Sequence, residues 1–343
     1  MKVPQTAPTF DAETRLAVDD VLASGWLTEG AQCEAFTAEL LAYMGAEYGS
    51  LVSNGTTALT LGLWAAGVKP GQRVLVPDLT FAASANAVVA VGATPVLVDA
   101  YDHEPRGDAS MPVWLFGNRP APFGVTAPVV VEDAAQAVGC WQDDKHAGTT
   151  ADVACFSFYA DKILTTGEGG FVVSRTRETW EQVEALRNHG RLKGVRGYAH
   201  EHFGVNARMT DMQAAIGRVG LRRLPEDRQR RLWHWGHYAD QLSDLPGLTI
   251  EPVDEGSVPF RCVVMVSEPE KLAAHLEAHE VQTRRMFPPL HKQPFLSQFV
   301  EPNQRFDHAD KAHAHGLLLS VHQNLTDDQV EYVCETVRGF YLG

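Results

Sequence analysis

Apolar positions along the first part of the chain fall into two alternating kinds of run. Helical spacing predicts helices over residues 9–23, with Leu16, Asp20 and Ala23 marking the turns and Val18, Val21 and Leu22 on the apolar side, and over 33–44, with Phe36, Leu40, Leu41 and Met44. Asp11 or Thr9 is placed to cap the first, and Gly25 to stop it. Short continuous apolar runs predict strands near 51–53, 73–77, 94–98, 113–116, 129–131, 153–158 and 171–174. Helical stretches at 58–66, 81–91 and 176–188 lie among them. Strands separated by helices argue for an α/β fold with a mostly parallel central sheet. In such sheets ligands gather at the C-terminal strand ends, which here carry Ser53-Asn54, Asp78, Asp99 and Glu132-Asp133.

A long helix is predicted from Thr210 or Asp211, with Met212, Ala215, Ile216 and Val219 on one side, a break near Leu224-Pro225, and a resumption from Pro225 to Leu242. Beyond Pro246 the pattern changes to short strands at 248–250 and 261–266, a helix at 269–279 and a terminal helix at 327–340. This predicts a large unit over 1–240, N-terminal segment included, and a smaller C-terminal α+β unit over 241–343.

Composition narrows the possible functions. The 343 residues are 45% hydrophobic and 21% charged, enough for one large core and a smaller one. A net charge of -14 repels phosphate backbones, so nucleic acid is not an expected partner. An anionic ligand then needs a local site such as a helix N-terminus. The five cysteines form no C-x-x-C pair, which fits reduced thiols in a cytoplasmic protein. No signal-peptide core and no membrane-length apolar stretch is seen. His200/His202 and His313/His315 lack a clustered third ligand, so no metal is expected.

The candidate chemistry centres on Ser157–Gly170, S-F-Y-A-D-K-I-L-T-T-G-E-G-G. Lys162 lies there between an apolar strand and a glycine-rich turn, a place suited to Schiff-base formation; a solvated lysine on a hairpin is the alternative. Asn54-Gly55-Thr56-Thr57 joins a strand to a helix and makes either an anion cradle or a plain Thr-capped helix. Asp133 ends a buried strand, where a carboxylate needs a facing cation or serves as the N-cap of a helix from Ala134. Phe81 lies just beyond another strand end. Lysine, carboxylate, phosphate cradle and aromatic cover are together what pyridoxal 5'-phosphate requires.

The chain also resembles the DegT/DnrJ/StrS family of sugar-nucleotide aminotransferases, within the type I (aspartate aminotransferase) fold. S-G-W-L-T-E-G, S-N-G-T-T-A-L, V-P-D-L-T-F-A-A-S-A-N-A-V, V-E-D-A-A-Q-A-V-G, the lysine stretch, N-A-R-M-T-D-M-Q-A-A-I-G and P-L-H-K-Q-P carry the resemblance over nearly the whole length. It implies that Lys162 is the catalytic Schiff-base lysine and Asp133 the partner of the ring nitrogen. It implies that Gln136 bonds the ring hydroxyl, that Thr56, Thr57 and Ser157 hold the phosphate, and that Phe81 stacks on the ring. Asn206 would reach the phosphate in the neighbouring subunit, which implies a homodimer with shared sites. L-Glutamate would donate nitrogen to a keto sugar nucleotide, with Trp26, Thr28, Arg285 and His291 as candidate substrate contacts. The T-T-G-E-G-G ending is similar to members that aminate C4 of a 4-keto-6-deoxyhexose, most of all the branch that makes GDP-perosamine. Amination of another keto sugar or a cyclitol, or cofactor binding without turnover, are the alternatives. Between Asp99 and Asp133 the chain is too short for the two helices usual in the family, and Leu319-Ser320 stands where Leu-Pro is common.

Overall fold

The computed structural model describes residues 1–8, 10–100, 106–121, 127–192 and 199–342. Thr9 and parts of the shortened region and of the 191–202 segment lie outside the described residues. Two helices open the chain, α1 (Ala12–Ser24) and α2 (Ala31–Met44). Asp11 caps α1 by accepting from Thr14 N at 2.8 Å, and Gly25 closes it in the left-handed region at φ 72°.

There follow β1 (Tyr48–Val52), α3 (Gly55–Ala65), β2 (Arg73–Pro77), α4 (Ala83–Ala90), β3 (Thr94–Val98), β4 (Ala109–Ser110) and β5 (Val131–Asp133). A small hairpin, β6 (Trp141–Gln142) and β7 (Lys145–His146), precedes β8 (Val153–Ser157), β9 (Gly170–Ser174) and α5 (Arg177–Arg187). The strands run in the order β1-β9-β8-β5 and β3-β2-β4. Parallel bridges Ser110–Val130 and Val113–Asp133 join the two sets. Only β9 runs against its sheet neighbours, so the sheet is mostly parallel, as predicted.

The central strands are apolar throughout because both faces are covered. Along β8, Val153 and Cys155 enter the core beneath α3, α4 and α5, whereas Ala154 and Phe156 enter the opposite core beneath α2 and α6 (Asp211–Leu242). Thr210 caps α6 in a reciprocal capping box with Gln213. The predicted break at Pro225 does not occur: the helix is continuous over 32 residues with Pro225 inside. Packing overrides the lost hydrogen bond, since Leu221 and Leu224 are anchored in one core and Tyr238 and Leu242 in the next.

A second expectation also fails. Instead of a strand at 113–116, Val113 makes a single bridge, and Leu115–Gly117 forms a 3-10 turn with Phe116 at φ 56°. The apolar residues there turn the chain away from the sheet, and Phe116 O accepts from Phe260 N at 2.9 Å. The neighbouring strand lies at 131–133, two residues beyond its predicted start.

The C-terminal part holds an antiparallel sheet ordered β10-β11-β13-β12, from β10 (Leu248–Ile250), β11 (Cys262–Val266), β12 (Arg284–Arg285) and β13 (Gly316–Leu319). Helices α7 (Pro269–Ala278) and α9 (Asp327–Leu342) cover it, and α8 (Asp307–His315) leads into β13. Val3 is buried in this same core and bridges Val281, so the first residues of the chain lie on the C-terminal sheet. No described helix is long and apolar enough to cross a membrane. All five cysteines are buried and free.

Candidate active site

A cleft of about 910 Å³ opens where the C-terminal ends of the sheet strands meet residues leading into β11 and β12. Thr56, Thr57, Phe81, Asp133, Gln136, Ser157, Lys162 and Arg285 all line it. Residues far apart in sequence meet there because parallel strands deliver their following loops to one edge.

The cradle is the first turn of α3. Asn54, rather than a threonine, is its cap: Oδ1 accepts from Thr57 N at 2.8 Å and the carbonyl from Ala58 N at 3.0 Å. No described group takes the N–H of Gly55 or Thr56, and both residues face the cleft. Gly55 is required by close approach, because a Cβ there would stand 2.8 Å from Cβ of Ser157. The helix start is thus pressed onto the end of β8, bringing free N–H groups and the hydroxyls of Thr56, Thr57 and Ser157 together. Such a donor set suits a phosphate.

Asp133 is 5% exposed. Oδ2 accepts from Ser84 Oγ at 2.7 Å and Oδ1 from Ala135 N at 3.1 Å. No helix starts after it; the local bond to Ala135 closes a turn. Burial pushes its pKa up, opposed by these two donors and by the charge of Lys162. Among the described residues no cation stands within ion-pair distance of it, so a cationic ligand would compensate its charge. Gln136 Oε1 accepts from Phe116 N at 2.7 Å, which turns the side-chain amide and commits its acceptor.

Lys162 sits on the turn after β8, its N–H donating to Tyr159 O at 3.0 Å. Gly167, at φ 82°, supplies the left-handed residue that returns the loop to β9. The side chain is 14% exposed, with Nζ 3.8 Å from Asp161 Oδ1. Nζ also lies 4.5 Å from the centre of the Phe260 ring. Burial lowers its pKa; Asp161 and Asp133 oppose this, and Arg261 and Arg231 add to it. A buried amine held toward neutrality is a nucleophile, unlike a solvated hairpin lysine. Phe81 presents its ring at the mouth, 66% exposed.

Five predicted residues do not contribute side chains to the cleft in this way. Arg285 reaches its lining, but its guanidinium donates to Glu270 Oε1 at 2.9 Å, to His313 O at 3.1 Å and to Gly316 O, tying down the end of α8. His291 lies outside: Nδ1 is 2.6 Å from Asp78 Oδ2, and the ring stacks on Phe306 at 4.6 Å. Trp26 and Thr28 are exposed on the loop before α2, where Trp26 Nε1 donates to Glu29 O at 3.0 Å. Asn206, also outside, is exposed beside the start of α6 and bridges Asn188. Of the strand-end acidic residues, Asp78 accepts from Leu290 N through its main-chain carbonyl and from His291 N through its carboxylate, and the Asp99 carboxylate holds the first turn of α8.

The cleft adds residues that the sequence pattern did not single out. Asp161, Phe260 and Arg261 surround Lys162, and Ser84 holds Asp133. Arg284 stands in the cleft wall with a side chain 59% exposed, 3.9 Å from Asp161. Among the described residues no His, Cys, Asp and Glu group is arranged to hold a metal. The donors and charges present fit pyridoxal phosphate: open N–H groups for its phosphate, a buried carboxylate for a protonated ring nitrogen, and an amine for its aldehyde.

Comparison with known proteins gives the same direction. The profile of the DegT/DnrJ/EryC1/StrS aminotransferase family matches residues 8–105 and 126–338, leaving unmatched the region that is short here. GDP-perosamine synthase of Escherichia coli O157:H7 is 31% identical, over 99% of this chain and 98% of its own. The dTDP-3-amino-3,4,6-trideoxy-alpha-D-glucose transaminase of Streptomyces venezuelae is 34% identical, over 95% and 92%. The crystal structure of the aminotransferase TlmJ from Streptoalloteichus hindustanus superposes with a TM-score of 0.90 at 31% identity, covering 99% of this chain and 98% of that one.

Proposed function

The chain belongs to the DegT/DnrJ/EryC1/StrS aminotransferase family, and we propose that it moves the amino group of L-glutamate to C4 of a nucleotide-linked 4-keto-6-deoxyhexose, as GDP-perosamine synthase does. It has the fold of, and is, a pyridoxal-phosphate-dependent sugar aminotransferase acting on nucleotide sugars. When bound, the cofactor supplies an aldehyde that an amine can capture and a ring that accepts the electron pair left as Cα–H breaks.

The residues divide the work. Nζ of Lys162 would be the attachment point and then the base that takes the donor's Cα proton and passes it to C4′ of the cofactor, which needs an amine able to be neutral. Asp133 keeps a positive charge on the ring nitrogen, Gln136 orients the ring hydroxyl, and Phe81 covers a ring face. Thr56, Thr57, Ser157 and the open N–H groups of α3 hold the phosphate. Arg284, with its guanidinium in the cleft wall, takes the nucleotide diphosphate in place of the committed Arg285. Asn206, exposed before the start of α6, serves the phosphate of a second subunit in a homodimer, and Trp26 and Thr28, exposed on the loop whose Thr28 O accepts from Asp211 N at 3.3 Å, contribute to the substrate site. Five buried reduced thiols support a cytoplasmic setting.

One observation carries the reading: a buried lysine and a buried carboxylate with no cation at ion-pair distance among the described residues share a cleft with an open helix N-terminus. C4 rests on T-T-G-E-G-G and on GDP-perosamine synthase; the name of the Streptomyces venezuelae transaminase favours C3 as the second reading. A screen of GDP-, UDP- and dTDP-linked 4-keto and 3-keto sugars with glutamate separates them. Turnover of a 3-keto sugar alone overturns C4, and a visible band that glutamate does not alter overturns turnover altogether.

A further inference from the structure

We propose that Asp161 is a positioning residue that sets the charge state of Lys162, acting as its counter-ion against the opposing charge of Arg261; this rests on Lys162 being the reacting amine. Asp161 directly precedes the lysine, and its carboxylate is 13% exposed. Its two oxygens are used differently. Oδ2 accepts from the Arg261 guanidinium at 3.1 Å, with Arg284 beyond at 3.9 Å. Oδ1 is buried, has no hydrogen-bond partner among the described residues, and lies 3.8 Å from Nζ of Lys162.

Arg261 cannot readily move. It is 3% exposed, donates to Phe260 O at 2.9 Å and lies 4.1 Å from the centre of the Phe260 ring. The same ring faces Lys162. Two cations therefore share one aromatic, and Asp161 is the carboxylate common to both.

The other charges around the lysine come from every neighbouring element. Arg231 of α6, 1% exposed, bonds Gln323 through Nε at 3.0 Å; Asp133 comes from β5 and Arg284 from β12. Burial, Arg261 and Arg231 favour the neutral amine, whereas Asp161 and Asp133 favour the ammonium. Once a cationic ring engages Asp133, Asp161 is the carboxylate left facing the amine and Arg261, while Asp227 of α6 also balances Arg231. An amine that gives up and retakes a proton in each half-reaction works best with a pKa near the operating pH. Asp161 supplies the upward half of that balance, and Oδ1 is its contact.

Asp161→Asn keeps the shape and removes the charge. Lys162 is titrated in the cofactor-free protein through the pH dependence of its reaction with an amine-selective acylating reagent, read on the peptide by mass spectrometry. The same variants loaded with pyridoxal phosphate are titrated by visible absorbance. One unit charge near 4 Å corresponds to a downward shift of roughly 0.7 to 3 pH units, depending on the effective dielectric. Arg261→Gln is expected to shift the midpoint upward, and Asp161→Glu to restore much of the normal value. A merely structural role would move Asp161→Asn and Arg261→Gln in the same direction. That outcome, or an unchanged midpoint in Asp161→Asn, overturns the proposal. Because the labelling arm needs no cofactor, a protein that gains no visible band overturns the aminotransferase reading and leaves the Asp161 result decisive on its own.

Discussion

Replacing Gly55 by alanine tests the cradle at its tightest point. The new Cβ would stand 2.8 Å from Cβ and 3.1 Å from Oγ of Ser157. Carbon atoms rest about 3.5–4.0 Å apart, so one side must retreat by roughly 1 Å. Ser157 ends β8, which is paired on both sides by β5 and β9, and yields little. The first turn of α3 therefore moves, at an overpacking cost of about 1–3 kcal/mol. The N–H groups of Gly55 and Thr56 move with it. Misaligning one hydrogen bond to a charged phosphate costs about 1.5–3 kcal/mol, which weakens cofactor binding roughly ten- to hundredfold. Urea unfolding of the cofactor-free protein measures the first effect, and absorbance titration with pyridoxal phosphate the second. Gly236→Ala on α6 is the control, because a Cβ there meets nothing; about 0.5–1 kcal/mol of stabilisation and unchanged affinity are expected. If Gly55→Ala binds the cofactor as tightly as the unaltered chain, the contact between α3 and Ser157 does not shape a phosphate site.

Acid should destabilise the fold through two buried histidines. Burial pushes His146 and His322 down to about 4, so their neutral forms are favoured by folding. Their stabilisation is fully present above the unfolded value near 6.5 and is lost as pH falls toward 4, on the order of 3 kcal/mol each; a urea-derived stability that stays flat from pH 7 to 4.5 contradicts this. Arg284→Ala is expected to raise the KM for the nucleotide sugar roughly tenfold with little change in stability. Arg285→Ala should instead lower stability by about 1–3 kcal/mol and spare KM, since carbonyls at the end of α8 lose their donor; the reverse pattern would reassign the two arginines. Mixing Asn206→Ala with Lys162→Ala protomers should give heterodimers with one intact site and recovered turnover. No recovery after proven subunit exchange means that Asn206 acts within its own chain.

How much can be seen in the sequence depends on how local each signal is. β8 and β9 were legible because both of their faces are buried, making their apolar runs continuous. Lys162, on the loop after β8, was legible for the same reason, and so were Asp133 at the end of the apolar strand β5 and the turn from β1 into α3. The run at 113–116 misled because its apolar side chains fill a turn between two cores, a use that hydrophobicity does not distinguish from a strand. Pro225 misled because local propensity yields to packing at both ends of a long helix. Arg284 and Arg285 are adjacent, and which one faces the cleft depends on pairing with Gly316–Leu319, a long-range register. Asp78 and Asp99 stand at strand ends as ligand-binding residues do, yet they bind backbone from the C-terminal segment. The pairing of Asp161 with Arg261 spans 100 positions and has no local signature.

The central claim is that the amine of Lys162 carries the cofactor. Borohydride reduction of the protein loaded with pyridoxal phosphate, followed by proteolysis and mass spectrometry, tests it most directly. The expected result is a pyridoxyl-phosphate adduct on the peptide containing Lys162, lost in Lys162→Ala. An adduct confined to another lysine, or a protein that acquires none, would contradict it.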